Sequence, residues 1–379
     1  MRNVDAAGLG IGDDYPPRLM GVLNVSEESP YEPSVFDDAG EAAAYVDEEL
    51  IGEGADIVDV GLESANKRFE VLSAEQELDR LETAVAAMES VSGDAVFSIE
   101  TRYHEVAEAA LDAGFDMVND ICGFADPEMP RVCAERDAAV VKMASPPDLT
   151  RPGAIEAVDD IYAALEREGL TEKTIVDPAF GGWSEEKTLE DDRETFHRLR
   201  EFRALDRPIL VSINRKNFLR DLAGRSTEEA LPVSLAATAM AVERGAHIVR
   251  THDVAETRDA ALVGDAFARE RVRHGGEVAV EELDVTSVGD LRRHLDRVDG
   301  GSELARRGVV RVFEFADLSP TARETLAEAV SGTNAALAGS GTSRLLVGTP
   351  ADLSEVVDAA SGESSALDAA LAAVEEIVE

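Results

Sequence analysis

A lysine at the end of an apolar run is the first residue in this sequence that suggests chemistry. Residues 208–214 read PILVSIN, and Arg215 and Lys216 follow directly. An apolar run of this length is typical of a strand buried on both faces, as in a parallel sheet covered by helices. The chain has only five lysines, and parallel sheets bind ligands at the carboxyl ends of their strands. Lys216 is therefore the first candidate for a catalytic side chain.

Two carboxylates and an amide stand at the ends of three other predicted strands. They belong to Glu100, Asn119 and Asp177. A buried carboxylate needs hydrogen-bond donors, and the N–H groups of a flat heterocycle would supply several of them. The sequence therefore predicts a pocket for a heterocycle that is rich in N–H donors.

A second polar group combines an amide, a guanidinium and an imidazole. Asn24 ends the first predicted strand, and Arg250 and His252 end the last. Barrels often bind phosphate near their last strands, and an amide oxygen is also a ligand that Mg²⁺ accepts. We expect a diphosphate site here, with Asn24 also placing a magnesium ion. A donor-rich heterocycle beside a diphosphate describes a pterin that carries a diphosphate leaving group.

Eight strand–helix units are predicted between residues 18 and 272 to position these side chains. Apolar runs alternate with segments of helical periodicity, and Gly54, Gly114 and Gly245 precede strands as helix caps. Eight such units in succession predict a (β/α)8 TIM barrel. The alternative is an open doubly wound sheet, but the first turn, residues 24–29, lacks the glycines of that fold. The predicted strands cover residues 18–25, 56–61, 95–100, 117–121, 138–143, 174–178, 208–214 and 247–252.

Two further segments flank the predicted barrel. Residues 1–17 read as a short polar N-terminal lead. Residues 275–379 predict a small α/β C-terminal domain without an assigned role, with strands at 277–281, 309–314 and 344–348. The segment GSGT at 339–342 precedes a strand rather than a helix, so we interpret it as a turn and not as a phosphate-binding loop.

The charge of the chain restricts its partners. Acidic residues number 78 against 36 basic ones, and the net charge of −42 disfavours binding to nucleic acid or to an anionic membrane. Acidity in every segment together with scarce lysine resembles the composition of halophilic proteins, whose surfaces work in concentrated salt. Cys122 and Cys133 match no zinc motif and predict reduced thiols. Residues 1–17 contain no signal peptide pattern, and no apolar run reaches about 18 residues, so we expect a cytoplasmic protein.

Seven strand-end motifs together resemble the dihydropteroate synthase family, a family of pterin-binding TIM barrels in folate biosynthesis. The resemblance lies in their order and spacing between about residues 18 and 270, and it leaves the tail uncovered. The motifs are GVLNV at 21–25, DIVDVG at 56–61 with ES at 63–64, SIET at 98–101, VNDI at 118–121, DPAFG at 177–181, RKNF at 215–218 and RTHDVAETR at 250–258.

The resemblance implies a transferase reaction and roles for the candidate residues. An arylamine, p-aminobenzoate or a related amine, attacks the methylene of 6-hydroxymethyl-7,8-dihydropterin diphosphate, and pyrophosphate leaves with the help of Mg²⁺. The pterin would be bound by Glu100, Asn119, Met143, Asp177 and Lys216. The diphosphate would be bound by Asn24, Arg250 and His252, with Asn24 next to the metal. The catalytic residues would be Lys216, Arg250 and His252. The family also implies a homodimer through the last barrel helices.

Several positions depart from the family pattern. Residues 26–33 replace a Pro-Asp-Ser-Phe-Ser-Asp loop, and residues 64–68 replace Ser-Thr-Arg-Pro-Gly. Lys142 stands where the family has histidine before Met143, and Glu100 stands where it has aspartate. In the family, the loops that correspond to residues 26–33 and 64–68 shape the arylamine and diphosphate sites. The pterin half of the site is therefore preserved better than the arylamine half.

Two other functions are compatible with a pterin-binding barrel. A methyltransferase of the same superfamily passes a methyl group from methyltetrahydrofolate to a corrinoid, but its donor brings no diphosphate for Arg250 and His252 to bind. A non-catalytic paralogue would bind pterin without turnover, and the rewritten first and second loops favour it. A relative that uses a modified arylamine, as in methanopterin-type cofactors, is a variant of the synthase interpretation.

Overall fold

The computed structural model describes residues 2–25, 34–63, 71–150, 152–167, 169–181, 187–274, 278–362 and 364–378. The chain divides into two compact units, Met1–Glu270 and Arg271–Glu379. The first contains the predicted lead and barrel, and the second contains the predicted C-terminal domain. Each unit has a hydrophobic core of its own.

Eight parallel strands form a barrel in the first unit, and two short strands precede it. The strands are β1 (Val4–Ala6), β2 (Leu9–Ile11), β3 (Arg18–Asn24), β4 (Ile57–Gly61), β5 (Val96–Thr101), β6 (Met117–Asp120), β7 (Ala139–Met143), β8 (Thr174–Asp177), β9 (Leu210–Val211) and β10 (Ile248–Thr251). The sheet places the eight barrel strands in the order β8-β7-β6-β5-β4-β3-β10-β9. A parallel bridge between Val176 and Ile209 brings β8 beside β9 and closes the ring, so the predicted (β/α)8 TIM barrel is confirmed.

Helices connect the barrel strands and cover the outside of the ring. They are α1 (Ala39–Tyr45), continued by a π-helical segment (Val46–Ile51), α2 (Ala74–Ser90), α3 (His104–Asp112), α4 (Met129–Glu135), α5 (Val158–Glu166), α6 (Leu189–His197), followed by a 3-10 segment (Leu199–Leu205), α7 (Asn217–Ala223), α8 (Leu231–Glu243) and α9 (Val254–Ala266). Ser73 and Gln76 form a capping box that fixes the start of α2. Within the described part of the chain, no helix is long and apolar enough to cross a membrane.

The seventh barrel strand is shorter than the apolar run that predicts it. The prediction covers residues 208–214, whereas β9 contains only Leu210–Val211. Arg215 then turns the chain with a φ of 52°, and α7 begins at Asn217. The run is buried as expected, but ladder pairing depends on the neighbouring strands, which a single sequence segment does not reveal.

The second unit contains a two-stranded and a three-stranded antiparallel sheet and four helices in its described residues. The elements are β11 (Arg273–His274), β12 (Val280–Glu281), α10 (Val288–Arg297), a 3-10 segment (Ser302–Arg307), β13 (Arg311–Phe315), α11 (Pro320–Val330), β14 (Ala336–Ala338), β15 (Arg344–Gly348), α12 (Pro350–Ala360) and α13 (Ser365–Val378). The three-stranded sheet has the order β13-β15-β14 and shares a core with α11, α12 and α13. The predicted strands at 309–314 and 344–348 correspond to β13 and β15. The strand predicted at 277–281 contains β12, and its residue 277 lies outside the described residues.

The interior of the barrel has an apolar half and a polar half. Near the amino ends of the strands, inward side chains pack against the hairpin of β1 and β2. Because successive residues of a strand face opposite sides, the next inward positions of β4, β5 and β6 are Asp59, Ser98 and Asn119, which are all buried. The apolar layer consists of Met20, Ile57, Val96, Met117, Ala139, Val141, Ile175, Leu210 and Ile248.

The predicted polar lead, residues 1–17, is therefore the plug of the barrel. Its strands have three residues each, too few to show a periodicity in the sequence. Asp13, which follows β2, accepts hydrogen bonds from the guanidinium of Arg203 at 2.8 and 3.0 Å. His247 donates from Nε2 to the same carboxylate at 3.1 Å, since its Nδ1 accepts from the amide of Ile209. The Asp13 and Arg203 side chains are only 4% and 6% exposed, so the pair is shielded from solvent.

Replacing Asp13 with asparagine should destabilise the fold by ~3 kcal/mol. The substitution leaves the Arg203 guanidinium buried without its counter-charge. Urea unfolding at a fixed high salt concentration measures the change. The control is Asp5→Asn, an exposed position on the same hairpin whose hydrogen bond from the Gly8 amide an asparagine can keep. Equal unfolding free energies for D13N and the unmodified protein would contradict the anchoring role.

Candidate active site

A pocket opens at the carboxyl ends of the barrel strands. All five residues that the sequence predicts for the pterin line it, together with Arg250 of the predicted diphosphate group. The structure thus gathers residues up to 150 positions apart in the chain. The lining residues are Glu100, Asn119, Ile121, Met143, Asp177, Ala179, Phe180, Ser212, Lys216 and Arg250.

Arg250 is the centre of a buried polar network at this pocket. Its Nε donates to Oδ2 of Asp59 at 2.7 Å, and its Nη2 donates to Oε2 of Glu100 at 2.7 Å. Asn119 donates from Nδ2 to the same oxygen of Asp59 at 3.0 Å. Asp59 is fully buried, and its Oδ1 has no hydrogen-bond partner among the described residues. The network therefore fixes a guanidinium and an amide in place and leaves one buried acceptor unused.

Burial changes the protonation of the pocket's ionisable groups. The pKa of Glu100 is raised to about 7 because burial disfavours the charged form, although Arg250 opposes the rise. Burial also raises the pKa of Asp177 to about 6, against the Ala179 amide that donates to its Oδ1 at 2.8 Å. The same burial lowers the pKa of Lys216. Groups that titrate close to neutrality inside a cleft are typical of functional sites.

Two neighbouring loops hold the turn that brings Lys216 to the pocket. The guanidinium of Arg215 binds the carboxylate of Asp253 through hydrogen bonds of 2.8 and 2.9 Å, which fixes the turn after β9. On the other side, Gly181 has a φ of 107°, and a Cβ at this position would lie 3.0 Å from Nζ of Lys216. The absence of a side chain at Gly181 therefore leaves the space that the lysine occupies.

Asn24 ends β3, His252 directly follows the paired strand β10, and neither belongs to the lining of this pocket. Asn24 donates from Nδ2 to Oγ of Ser34 at 2.9 Å. The pKa of His252 is lowered to about 3 by burial and by the positive charge of Arg250. Of the three residues predicted to bind a diphosphate, only Arg250 therefore lines the pocket.

One group of three potential metal ligands occurs among the described residues, and it lies outside the pocket lining. It consists of His104, Glu105 and Asp126. Oδ2 of Asp126 lies 2.7 Å from Nδ1 of His104 and accepts from the amide of the same residue at 3.1 Å. These contacts join the start of α3 to the segment after β6, which gives the group a structural explanation.

The pattern of strand-end residues has a counterpart among known protein families. Residues 20–252 match the family model described as pterin binding enzyme. The matched region contains the whole pocket and every predicted site residue. The chain belongs to the pterin-binding enzyme family.

Relatives of this family member are named dihydropteroate synthases. A probable bifunctional folylpolyglutamate synthase/dihydropteroate synthase of Haloferax volcanii is 35% identical over 268 residues, which cover 66% of this chain and 31% of that protein. The dihydropteroate synthase of Clostridium beijerinckii is 31% identical over 258 residues, covering 66% of this chain and 94% of the relative. The chain thus spans about a third of the first relative's length and nearly all of the second's.

Solved structures of the family share the fold. The dihydropteroate synthase of Thermus thermophilus in complex with 4-aminobenzoate is 30% identical, with a TM-score of 0.57, and covers 70% of this chain and all of its own. The same protein has also been solved in complex with 6HMPPP, with a TM-score of 0.56.

At and next to this pocket, the structure adds residues to which the sequence by itself assigned no role. Asp59 is the most informative, because it binds both Arg250 and Asn119. The sequence could have pointed to Asp59 because it is an acidic residue inside the otherwise apolar strand β4, and a buried charge requires a partner. The other additions are Ile121, Ala179, Phe180 and Ser212.

The departures from the family pattern fall in different places. Residues 26–33 and 64–70, which contain the rewritten first and second loops, lie outside the described residues. Lys142 is buried but does not enter the pocket. Its Nζ donates to the carbonyl oxygens of Leu165 and Arg167 at 3.3 and 3.0 Å, at the carboxyl end of α5. It therefore supports the outer wall of the barrel.

His252 should remain neutral between pH 5 and pH 8 in the free protein. Burial and the charge of Arg250 lower its pKa to about 3, so protonation requires far more acidic solution. NMR titration of the histidine ring protons measures this, with H252Q to assign the signal. His104 serves as the internal control, because its pKa is raised, despite burial, by the hydrogen bond to Asp126. A His252 signal that titrates near pH 6.5 would show that its surroundings are not those described.

Proposed function

We propose that this chain is a dihydropteroate synthase-type transferase of folate biosynthesis. It condenses 6-hydroxymethyl-7,8-dihydropterin diphosphate with p-aminobenzoate, or a related arylamine, and releases pyrophosphate. The pocket that gathers all five predicted pterin residues beside Arg250 is the observation that carries the proposal. The family match and the solved relatives in complex with 4-aminobenzoate and 6HMPPP support it. The ligase activity named for the Haloferax volcanii relative is not part of the proposal, because this chain covers only 31% of that protein.

The chain's own residues would supply orientation and charge stabilisation. Asp177 and Asn119 would hold the pterin ring through its N–H groups, and Lys216 would contact its carbonyl edge. As the amine nitrogen bonds to the methylene, the carbon–oxygen bond to the diphosphate breaks and its electrons leave with pyrophosphate. Arg250 would stabilise the negative charge that develops on that leaving group. The amine then loses a proton to solvent, and a weakly basic aniline needs no general base to attack.

Magnesium and the two remaining diphosphate residues complete this proposal. Mg²⁺ takes about six oxygen ligands and often obtains most of them from substrate phosphates and water. The single amide oxygen of Asn24 fits such a shared site, and the bound ion would neutralise charge on the leaving group. His252 is neutral because of its low pKa, so its imidazole would donate an N–H to a phosphate oxygen.

The alternatives differ in what they bind and release. A pterin-binding methyltransferase would use methyltetrahydrofolate and a corrinoid, and the presence of Arg250 in the pocket argues for the synthase instead. A non-catalytic paralogue would bind pterin without releasing pyrophosphate. A relative with a modified substrate would release pyrophosphate only with a ribosylated arylamine.

We further propose a cytoplasmic homodimer that works in concentrated salt and binds neither nucleic acid nor membrane. The net charge of −42 repels nucleic acid and anionic lipid, and 1 M salt screens charges beyond about 3 Å. An apolar groove of about 800 Å³ among α6, α7 and α8 supports the homodimer. Its side chains include Leu222 and Met240, which are 64% and 47% exposed.

Changing Lys216 to alanine should reduce turnover by at least about 100-fold while the protein remains folded. A reduction of this size is typical when an enzyme loses one positioned group that stabilises charge in the transition state. Pyrophosphate and pteroate formation are followed in concentrated salt with the pterin diphosphate, Mg²⁺ and p-aminobenzoate. Lys173→Ala is the control, because this lysine lies at the opposite end of the barrel and pairs with Asp137. Turnover by K216A close to that of K173A would refute the role of Lys216, and no pteroate from the unmodified protein would refute the proposed function.

A further inference from the structure

The two carboxylates that bind Arg250 are not equivalent. The side chain of Asp59 is 0% exposed, and its Oδ2 holds both Arg250 and Asn119. Glu100 is 13% exposed, lines the pocket and reaches Arg250 by one contact, from Oε2 to Nη2. Asp59 therefore anchors the guanidinium of Arg250, whereas Glu100 occupies the Nη2 donor that lies next to the pocket.

An anion that binds Arg250 from the pocket must compete with Glu100. The contact between Glu100 and Arg250 spans the barrel interior from β5 to β10, with β4 and β3 between them in the ring. A phosphate oxygen seeks the same charge-assisted hydrogen bond from Nη2. Two anions at one buried donor repel each other, so the arrival of one favours the departure of the other.

We propose that Glu100 is an exchangeable counter-ion of Arg250, which the anionic part of the substrate displaces from Nη2 while Asp59 keeps the guanidinium in position. The identity of that anion as a diphosphate rests on the proposed function. In the free protein Glu100 neutralises the partly buried guanidinium of Arg250, and in the complex the ligand neutralises it instead.

The exchange is coupled to a proton. Burial raises the pKa of Glu100 to about 7, and Arg250 is the main group that holds it down. The other charges facing Glu100 are Asp59 and Glu63, which raise its pKa, and Lys216, which lowers it. Loss of the contact with Arg250 raises the pKa of Glu100 further, so anion binding takes up a proton above pH 7. Affinity for the anion then falls as the pH rises through 7, because the bound state holds more protons than the free state.

Inorganic pyrophosphate tests the exchange on the full chain without any turnover. Isothermal titration calorimetry in buffers with different ionisation enthalpies gives the number of protons taken up on binding. The unmodified protein should take up more protons than E100Q. Pyrophosphate itself can also change its protonation on binding, but this contribution is the same for both proteins and cancels when the two proton counts are subtracted. At pH 8, E100Q should bind pyrophosphate about tenfold more tightly than the unmodified protein does. This factor corresponds to the free energy of the one charge-assisted hydrogen bond with which Glu100 competes for Arg250.

The matched control is Glu77→Gln. Glu77 is a buried glutamate whose pKa burial also raises to about 7, but it accepts a hydrogen bond from Thr101 and lies outside the pocket lining. E77Q should show the same proton uptake and affinity as the unmodified protein, and thermal unfolding shows that each variant is folded. Equal proton uptake and affinity for E100Q and the unmodified protein, or no binding of pyrophosphate by the latter, would overturn the counter-ion exchange.

Failure of the exchange and failure of the proposed function are distinguishable, because pyrophosphate binding requires neither pterin nor arylamine. A protein that shows the exchange but forms no pteroate would refute the proposed function and retain Glu100 as a counter-ion. A protein that forms pteroate but shows no difference between E100Q and the unmodified chain would refute the exchange alone.

Discussion

A guanidinium inside a barrel must be matched by carboxylates, and Arg250 obtains two of them from strands on its own ring. The desolvation of an arginine is tolerable only when charged partners and good geometry compensate it. Asp59 supplies a fully buried partner, and Glu100 supplies one at the edge of the pocket. The polar half of the barrel depends on this arrangement. Asn119 is oriented by the same Asp59 oxygen, so the guanidinium and the amide that would meet the two halves of a substrate share one anchor.

The two ends of the barrel use buried charge for different purposes. At the bottom, both oxygens of Asp13 are bound by Arg203, and His247 adds a third contact. That cluster is satisfied and fastens the hairpin plug. At the top, an oxygen of Asp59 has no partner among the described residues, and the pKa values of Glu100 and Asp177 lie near neutrality. Groups that titrate near pH 7 inside a cleft are typical of functional sites.

The pocket lies in the first unit. Every residue of the pocket lining belongs to Met1–Glu270, and the second unit closes a separate core around its own three-stranded sheet. The acidity of the chain is likewise independent of the site, since it is distributed over every segment rather than concentrated at the pocket.

The sequence by itself determined the eight strand–helix units and the residues at the strand ends. Both follow from local rules, because apolar periodicity marks the elements and parallel strands present their carboxyl ends on one face. Glu100, Asn119 and Asp177 could thus be assigned to one pocket without coordinates, and the family resemblance added Met143 and Lys216. Arg250 was assigned to a separate diphosphate group with Asn24 and His252, and only the structure places it in the lining of the same pocket.

Only the tertiary structure decided which neighbouring side chains turn inward and which strands complete the ring. It selected Asp59 as the anchor of Arg250, directed Lys142 to the outer wall, shortened β9 and converted residues 1–17 into a plug. These outcomes depend on the phase of each strand in the closed barrel and on contacts between distant segments. No local pattern in the sequence contains that information.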